Sequence, residues 1–90
     1  MLFWGYQQFG GSEMFYYPRI HELRKNANLS QDELAKYLGI HKITYTHYES
    51  GTRDLPISFI YHLAIFYNIS SDYILGLTDT PTPLKKKPGS

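Results

Sequence analysis

The sequence predicts an all-α fold, a compact domain of five helices, and three observations carry that expectation. Apolar residues in the middle of the chain recur at three- and four-residue steps, the period of an amphipathic helix. Ser or Pro stands where such segments begin, and Gly or Asn where they end. No stretch there alternates apolar and polar residues as a half-buried strand would. Ninety residues make one small domain, with a core that stabilises only modestly.

Residues 1–13, MLFWGYQQFGGSE, are aromatic, Gly-containing and aperiodic, and are read as a flexible N-terminal arm. The alternative is that Leu2, Phe3, Trp4 and Tyr6 pack on the domain or on a second copy of it, since an exposed apolar cluster favours association. The domain proper is assigned to residues 14–78. Pro18 suits the first position of the first helix, where its missing N–H would have been unpaired anyway. Ile20, Leu23 and Ala27 form its apolar stripe, with Arg19, Glu22 and Lys25 turned outward. Asn26 and Asn28 end it.

Ser30 is a favoured N-cap for the second helix, and Glu33 three residues later completes a capping box. Leu29 sits just ahead as a hydrophobic staple. Leu34, Ala35 and Leu38 share one side, and Gly39 ends the run because it takes positive φ without Cβ strain. The third helix follows the turn, with Tyr45 and Tyr48 three residues apart on one face, and Gly51 closes it as Gly39 closed the second. Thr52-Arg53-Asp54 form a polar loop. Pro56 opens a fourth helix with a wide apolar face of Phe59, Ile60, Leu63, Ala64 and Tyr67, stopped by Asn68. Ser70 or Ser71 caps a short fifth helix that carries Tyr73, Ile74 and Leu75 to Gly76. Residues 79–90 hold prolines, three lysines and a terminal Gly-Ser, the composition of a disordered tail.

Bulk properties exclude several classes. There is no cysteine, hence no disulfide framework, thiolate nucleophile or thiolate metal site. The four histidines, at 21, 41, 47 and 62, lack paired metal-ligand spacing. No cofactor is expected. No nucleophile–base pair or phosphate loop can be built, so an enzyme has no support. No apolar run approaches a membrane span, and the first nine residues lack the basic start and long apolar middle of a signal peptide, so a cytoplasmic protein is the default expectation. The net charge is only +1, and Lys85, Lys86 and Lys87 account for it: without them six basic residues face eight acidic ones. Charge does not mark a nucleic-acid binder here, and any binding field must be local.

The stretch Ser30–Gly51, SQDELAKYLGIHKITYTHYESG, organises the rest. Two short helices joined by a three- or four-residue turn cross near a right angle. That crossing needs a small residue, which Ala35 supplies four positions before Gly39. Counted from Gln31, Ala35, Gly39 and a buried Tyr45 fall at positions five, nine and fifteen, the spacing of the DNA-binding helix-turn-helix.

The segment from Arg19 to Asp79 closely resembles the Xre family, the phage-repressor and Cro type of helix-turn-helix. The resemblance rests on LSQDELA, the Gly-Ile turn, the YE-x-G end of the third helix and ISSDYILG after the fourth. It implies a lambda-repressor-like five-helix DNA-binding domain acting as a dimeric regulator, usually a repressor, with the helix over 42–50 in the major groove of double-stranded DNA. It places His41, Lys42, Ile43, Thr46 and His47 at base-reading positions. Gln31, Thr44, Thr52 and Arg53 fall at phosphate positions, where Gln31 sits at a helix N-terminus suited to anions. Arg24 and Glu49 match a structural ion pair between the first and third helices.

Two departures stand out. His41 replaces the Ser or Thr that commonly caps the third helix, so its start is expected to fray. The outer face is also poor in Arg, Gln and Asn, the best hydrogen-bonding readers, which points to modest discrimination or to reading of DNA shape. A second reading stays open on the neutral charge and the aromatic arm: an antitoxin-like or coactivator-like interaction module whose partner is another protein.

Overall fold

The computed structural model describes residues 15–84; the N-terminal arm, residues 1–13, and the three lysines lie outside it. Five helices follow in order: α1 Pro18–Asn26, α2 Gln31–Leu38, α3 Lys42–Ser50, α4 Ile57–Tyr67 and α5 Ser71–Leu75. There is no strand among the described residues. α2 packs on α3, α4 on α5, and α1 bridges to both α3 and α5. Ile20, Leu34, Ala35, Tyr45, Phe59, Leu63, Ala64 and Ile74 form one buried core to which every helix contributes. Each large side chain removed from water there stabilises by about 1.5–3 kcal/mol.

The local signals explain where the helices start and stop. Pro18 is the first residue of α1, behind an extended Tyr17. Asn28 takes φ +60° after its end, a left-handed conformation that Asn tolerates better than most residues. The α2 capping box is complete: the Glu33 N–H donates to Ser30 Oγ at 3.0 Å, and the Ser30 N–H donates to Glu33 Oε1 at 2.8 Å. Gly39 follows α2 at φ +73°, and the Ile40 N–H returns to the Ala35 carbonyl at 3.0 Å, closing carbonyls that the helix leaves open. Asn68 ends α4 at φ +54°. The Ser70 hydroxyl accepts from the Tyr73 N–H at 3.2 Å and so starts α5.

Gly51 does more than end α3. It is buried at φ +86°, and a Cβ there would stand 2.8 Å from Tyr16 Cβ and 2.9 Å from Tyr16 Cα. The Phe15 N–H donates to its carbonyl at 3.3 Å. The chain entering the domain therefore crosses directly over the end of α3.

Three places differ from the periodicity. Ala27 is exposed, and Arg24 occupies the inward face of α1 beside Ile20. Arg19, read as outward, lies across the end of α5. Its guanidinium stacks 3.9 Å from the Tyr73 ring centroid and donates to the Tyr73 and Thr78 carbonyls at 2.8 and 2.9 Å. A cation there complements the negative end of a helix. Residues 79–84, whose composition suggests a tail, return to the domain. The Ser70 N–H donates to the Thr82 carbonyl at 2.9 Å, Asp79 pairs with Arg19 at 2.8 Å, and Leu84 packs against the core.

Candidate nucleic-acid interface

The turn between α2 and α3 is three residues long, Gly39–His41. Ala35 lies at the crossing with 1% of its surface exposed, so a larger side chain would push the helices apart. Tyr45 plugs the space beneath α3 and is fully buried. Its hydroxyl cannot be left unpaired at that depth without a penalty, and it donates to Glu49 Oε2 at 2.7 Å, one turn along the same helix.

Glu49 is the hub of the site. Arg24 grips its carboxylate with two parallel bonds, Nε to Oε2 at 2.8 Å and Nη2 to Oε1 at 3.0 Å. Such a fork is the strong form of a charge-assisted pair. A third Arg24 donor, on Nη1, reaches the Leu29 carbonyl at 2.7 Å. Gln31 Nε2 donates to Glu49 Oε1 at 2.9 Å, and His21 Nδ1 lies 3.3 Å from the same oxygen. One carboxylate thus ties α1, α2 and α3 together. Burial raises the Glu49 pKa, but the hydrogen bonds from Arg24, Gln31, Tyr45 and His21 outweigh it and hold the group at about 2. The bond to Glu49 raises the Arg24 pKa against its own burial. Burial first, and then the Glu49 carboxylate, push the Tyr45 phenol far upward and the Tyr67 phenol to about 12. The Tyr67 hydroxyl is buried without a hydrogen-bond partner.

Held this way, α3 turns its other side outward. His41, Lys42 and Ile43 are exposed, Ile43 by 63%. Thr44, Thr46 and His47 are half-buried. Lys42 borders a polar depression shared with Arg24, Lys25, Ser30, Gln31 and Asp32, which brings the starts of α2 and α3 to one surface. Gln31 is engaged at both ends of its amide. Besides the bond to Glu49, its Oε1 accepts from Thr46 Oγ1 at 2.7 Å, so one amide hydrogen remains for an outside acceptor. His47 Nδ1 lies 2.9 Å from Thr52 Oγ1, which joins the end of α3 to the loop that carries exposed Arg53. His41 caps α3 with its backbone alone, its carbonyl accepting from the Tyr45 N–H at 3.0 Å.

Sequence reasoning missed Tyr45 and His21 as members of the Glu49 cluster. The signal was there in part: Tyr45 and Glu49 are four apart on α3, and His21 and Arg24 three apart on α1, spacings that place side chains together. Among the described residues no cluster of His, Asp or Glu could hold a metal ion, and no helix is long and apolar enough to cross a membrane.

A family model described as helix-turn-helix matches residues 20–74, the span from the first core residue of α1 to the last of α5. The chain belongs to the Xre-type helix-turn-helix family. It is 43% identical over 68 residues to the uncharacterized HTH-type transcriptional regulator YobD of Bacillus subtilis, a match covering 76% of this chain and 61% of YobD. It is 32% identical over 69 residues to the cryptic phage CTXphi transcriptional repressor RstR of Vibrio cholerae, covering 77% of this chain and 62% of RstR. It is also similar to the HTH-type transcriptional regulator AnsR of Bacillus subtilis, at 41% identity over 58 residues, covering 64% of this chain and 50% of AnsR. The chain thus spans between half and two thirds of the length of these relatives. No solved structure gives a significant match.

Proposed function

We propose that this protein is a sequence-specific DNA-binding regulator of transcription, acting as a repressor, with α3 seated in the major groove. The observation that carries this reading is the Glu49 hub, which fixes the angle of α3 while its outward face stays open to solvent. Lys42 would donate to guanine O6 or N7, and Ile43 would meet a thymine methyl. His41, Thr46 and His47 complete the base-facing set. Gln31, Thr44, Thr52 and Arg53 flank it within reach of the backbone, with the Gln31 amide backed by the start of α2. The names of YobD, RstR and AnsR as transcriptional regulators or repressors support the same role.

Two copies would bind half-sites about one helical turn, roughly 34 Å, apart. A surface suited to a second copy exists on α4. Its sequence contains no charged residue, and Ile57, Tyr61 and Ile65 stand 88%, 61% and 54% exposed along one side. The same surface favours the second reading, an interaction module whose partner is a different protein. Selection of bound duplexes from a random pool separates the two. A recovered palindrome with half-sites a helical turn apart supports the dimeric regulator, and recovery of no preferred duplex rejects it.

A further inference from the structure

We propose that Thr46 meets the base edge as a hydrogen-bond acceptor only, so that the base it faces is adenine or cytosine, and that Gln31 is the positioning residue that imposes this. The inference rests on the reading that α3 enters the major groove and assigns one element of its specificity.

A chain of proton directions begins at Glu49. Its carboxylate is clasped by the Arg24 guanidinium through two bonds, and an ionised carboxylate only accepts. Gln31 must therefore turn its amino end to Glu49 Oε1, as the 2.9 Å contact has it. A reversed amide would set two acceptor oxygens against each other beside a buried charge. With the amino end committed, the carbonyl end of Gln31 faces Thr46 Oγ1 at 2.7 Å. A carbonyl oxygen has no proton to give, so the threonine hydroxyl gives its single one.

What Thr46 retains for an outside partner is its lone pairs. Threonine in general can meet acceptors or donors on base edges. Here that ambivalence is removed from inside the protein. Guanine O6 and N7 and thymine O4 are acceptors and offer nothing to Thr46. Adenine N6 and cytosine N4 carry hydrogens and do. The buried negative charge of Glu49 is thereby transmitted through one amide and one hydroxyl into a preference at the DNA surface.

The test is selection of duplexes from a random pool by the full chain and by Thr46→Val, Thr46→Ser and Gln31→Leu. Thr46→Val keeps the shape and removes the hydroxyl, and the base pair at which it flattens the preference identifies the position Thr46 faces. On the strand that Thr46 faces, the unmodified protein is expected to favour adenine or cytosine over guanine or thymine by about fivefold, and to bind about fivefold more weakly when that base is replaced by purine or 2-pyrimidinone, which lack the amino group. Thr46→Ser should keep the preference. Gln31→Leu should relax it toward all four bases, because the freed hydroxyl can then donate, while the preference at other positions persists. A uniform loss of affinity in Gln31→Leu, with adenine or cytosine still favoured, would mean that Gln31 is merely structural and would overturn the proposal. So would unchanged binding when the amino group of the adenine or cytosine in the selected pair is removed, as purine or 2-pyrimidinone, or a Thr46→Val profile identical to that of the unmodified protein. If the unmodified protein selects nothing, the DNA-reading role falls and this assignment with it. Should Gln31→Leu melt well below the unmodified protein, the Thr46→Val and Thr46→Ser pair still decides whether the hydroxyl accepts from the base, and selection with Gln31→Leu at a temperature where it stays folded decides the part of Gln31.

Discussion

Taking away the Arg24 guanidinium leaves the Glu49 carboxylate, 5% exposed, without the fork that grips it. A buried charge that loses its counter-ion costs about 3–5 kcal/mol, so Arg24→Met should lower the melting temperature sharply. A shift near zero would mean the pair carries no weight in the fold. The same carboxylate governs the acid limb of stability. Its pKa is lowered from 4.5 to about 2, so the folded protein binds fewer protons than the unfolded chain between those values. The stabilisation is complete above about pH 5 and is lost as pH falls through 4.5 toward 2, on the order of 3 kcal/mol in total. Glu49→Gln, though less stable at neutral pH, should show a shallower decline over that window in urea titrations. Parallel declines for the two proteins would remove Glu49 from the acid transition.

At the scale of the elements, the two glycines that end α2 and α3 look alike in sequence and are not equivalent. Both have positive φ, but nothing lies within 4 Å of a Cβ at Gly39, whereas one at Gly51 meets the Tyr16 backbone. Gly39→Ala should cost only the left-handed penalty, about 1–2 kcal/mol. Gly51→Ala adds a clash that only movement of the entering chain relieves, so its urea midpoint should fall further. Equal midpoints would show that the crossing at Tyr16 is loose. This contrast also marks what was legible in the residues alone. Pro18, Ser30 with Glu33, Gly39, Asn68 and Ser70 act on neighbours within a few positions, and their elements start or stop where they stand. Arg19, Arg24 and Leu84 act on partners far along the chain, which periodicity cannot represent: it scores a charged side chain as outward and a proline-rich stretch as unattached. The candidate interface divides in the same way. The outward positions of α3 follow from its register, but the direction of each hydrogen bond between Gln31, Thr46 and Glu49 depends on three helices meeting.

For the whole molecule, a net charge of +1 leaves no general attraction to DNA, and among the described residues salt sensitivity is expected from the few cations beside α3. Lys42 and Arg53 are both exposed there. Arg53 as the cationic phosphate contact of each subunit, doubled in the proposed dimer, predicts a slope of log affinity against log salt of about −2. A slope near zero would indicate that Arg53 does not touch phosphate. The Glu49 hub has a further consequence for what happens on contact. A helix already anchored to two others loses little freedom when it docks, so little ordering entropy is charged against affinity. It also has no slack with which to follow an ill-fitting duplex. Any mismatch in curvature must be absorbed by the nucleic acid, and operators with easily bent steps between their halves will be favoured over stiff ones that present identical contact bases.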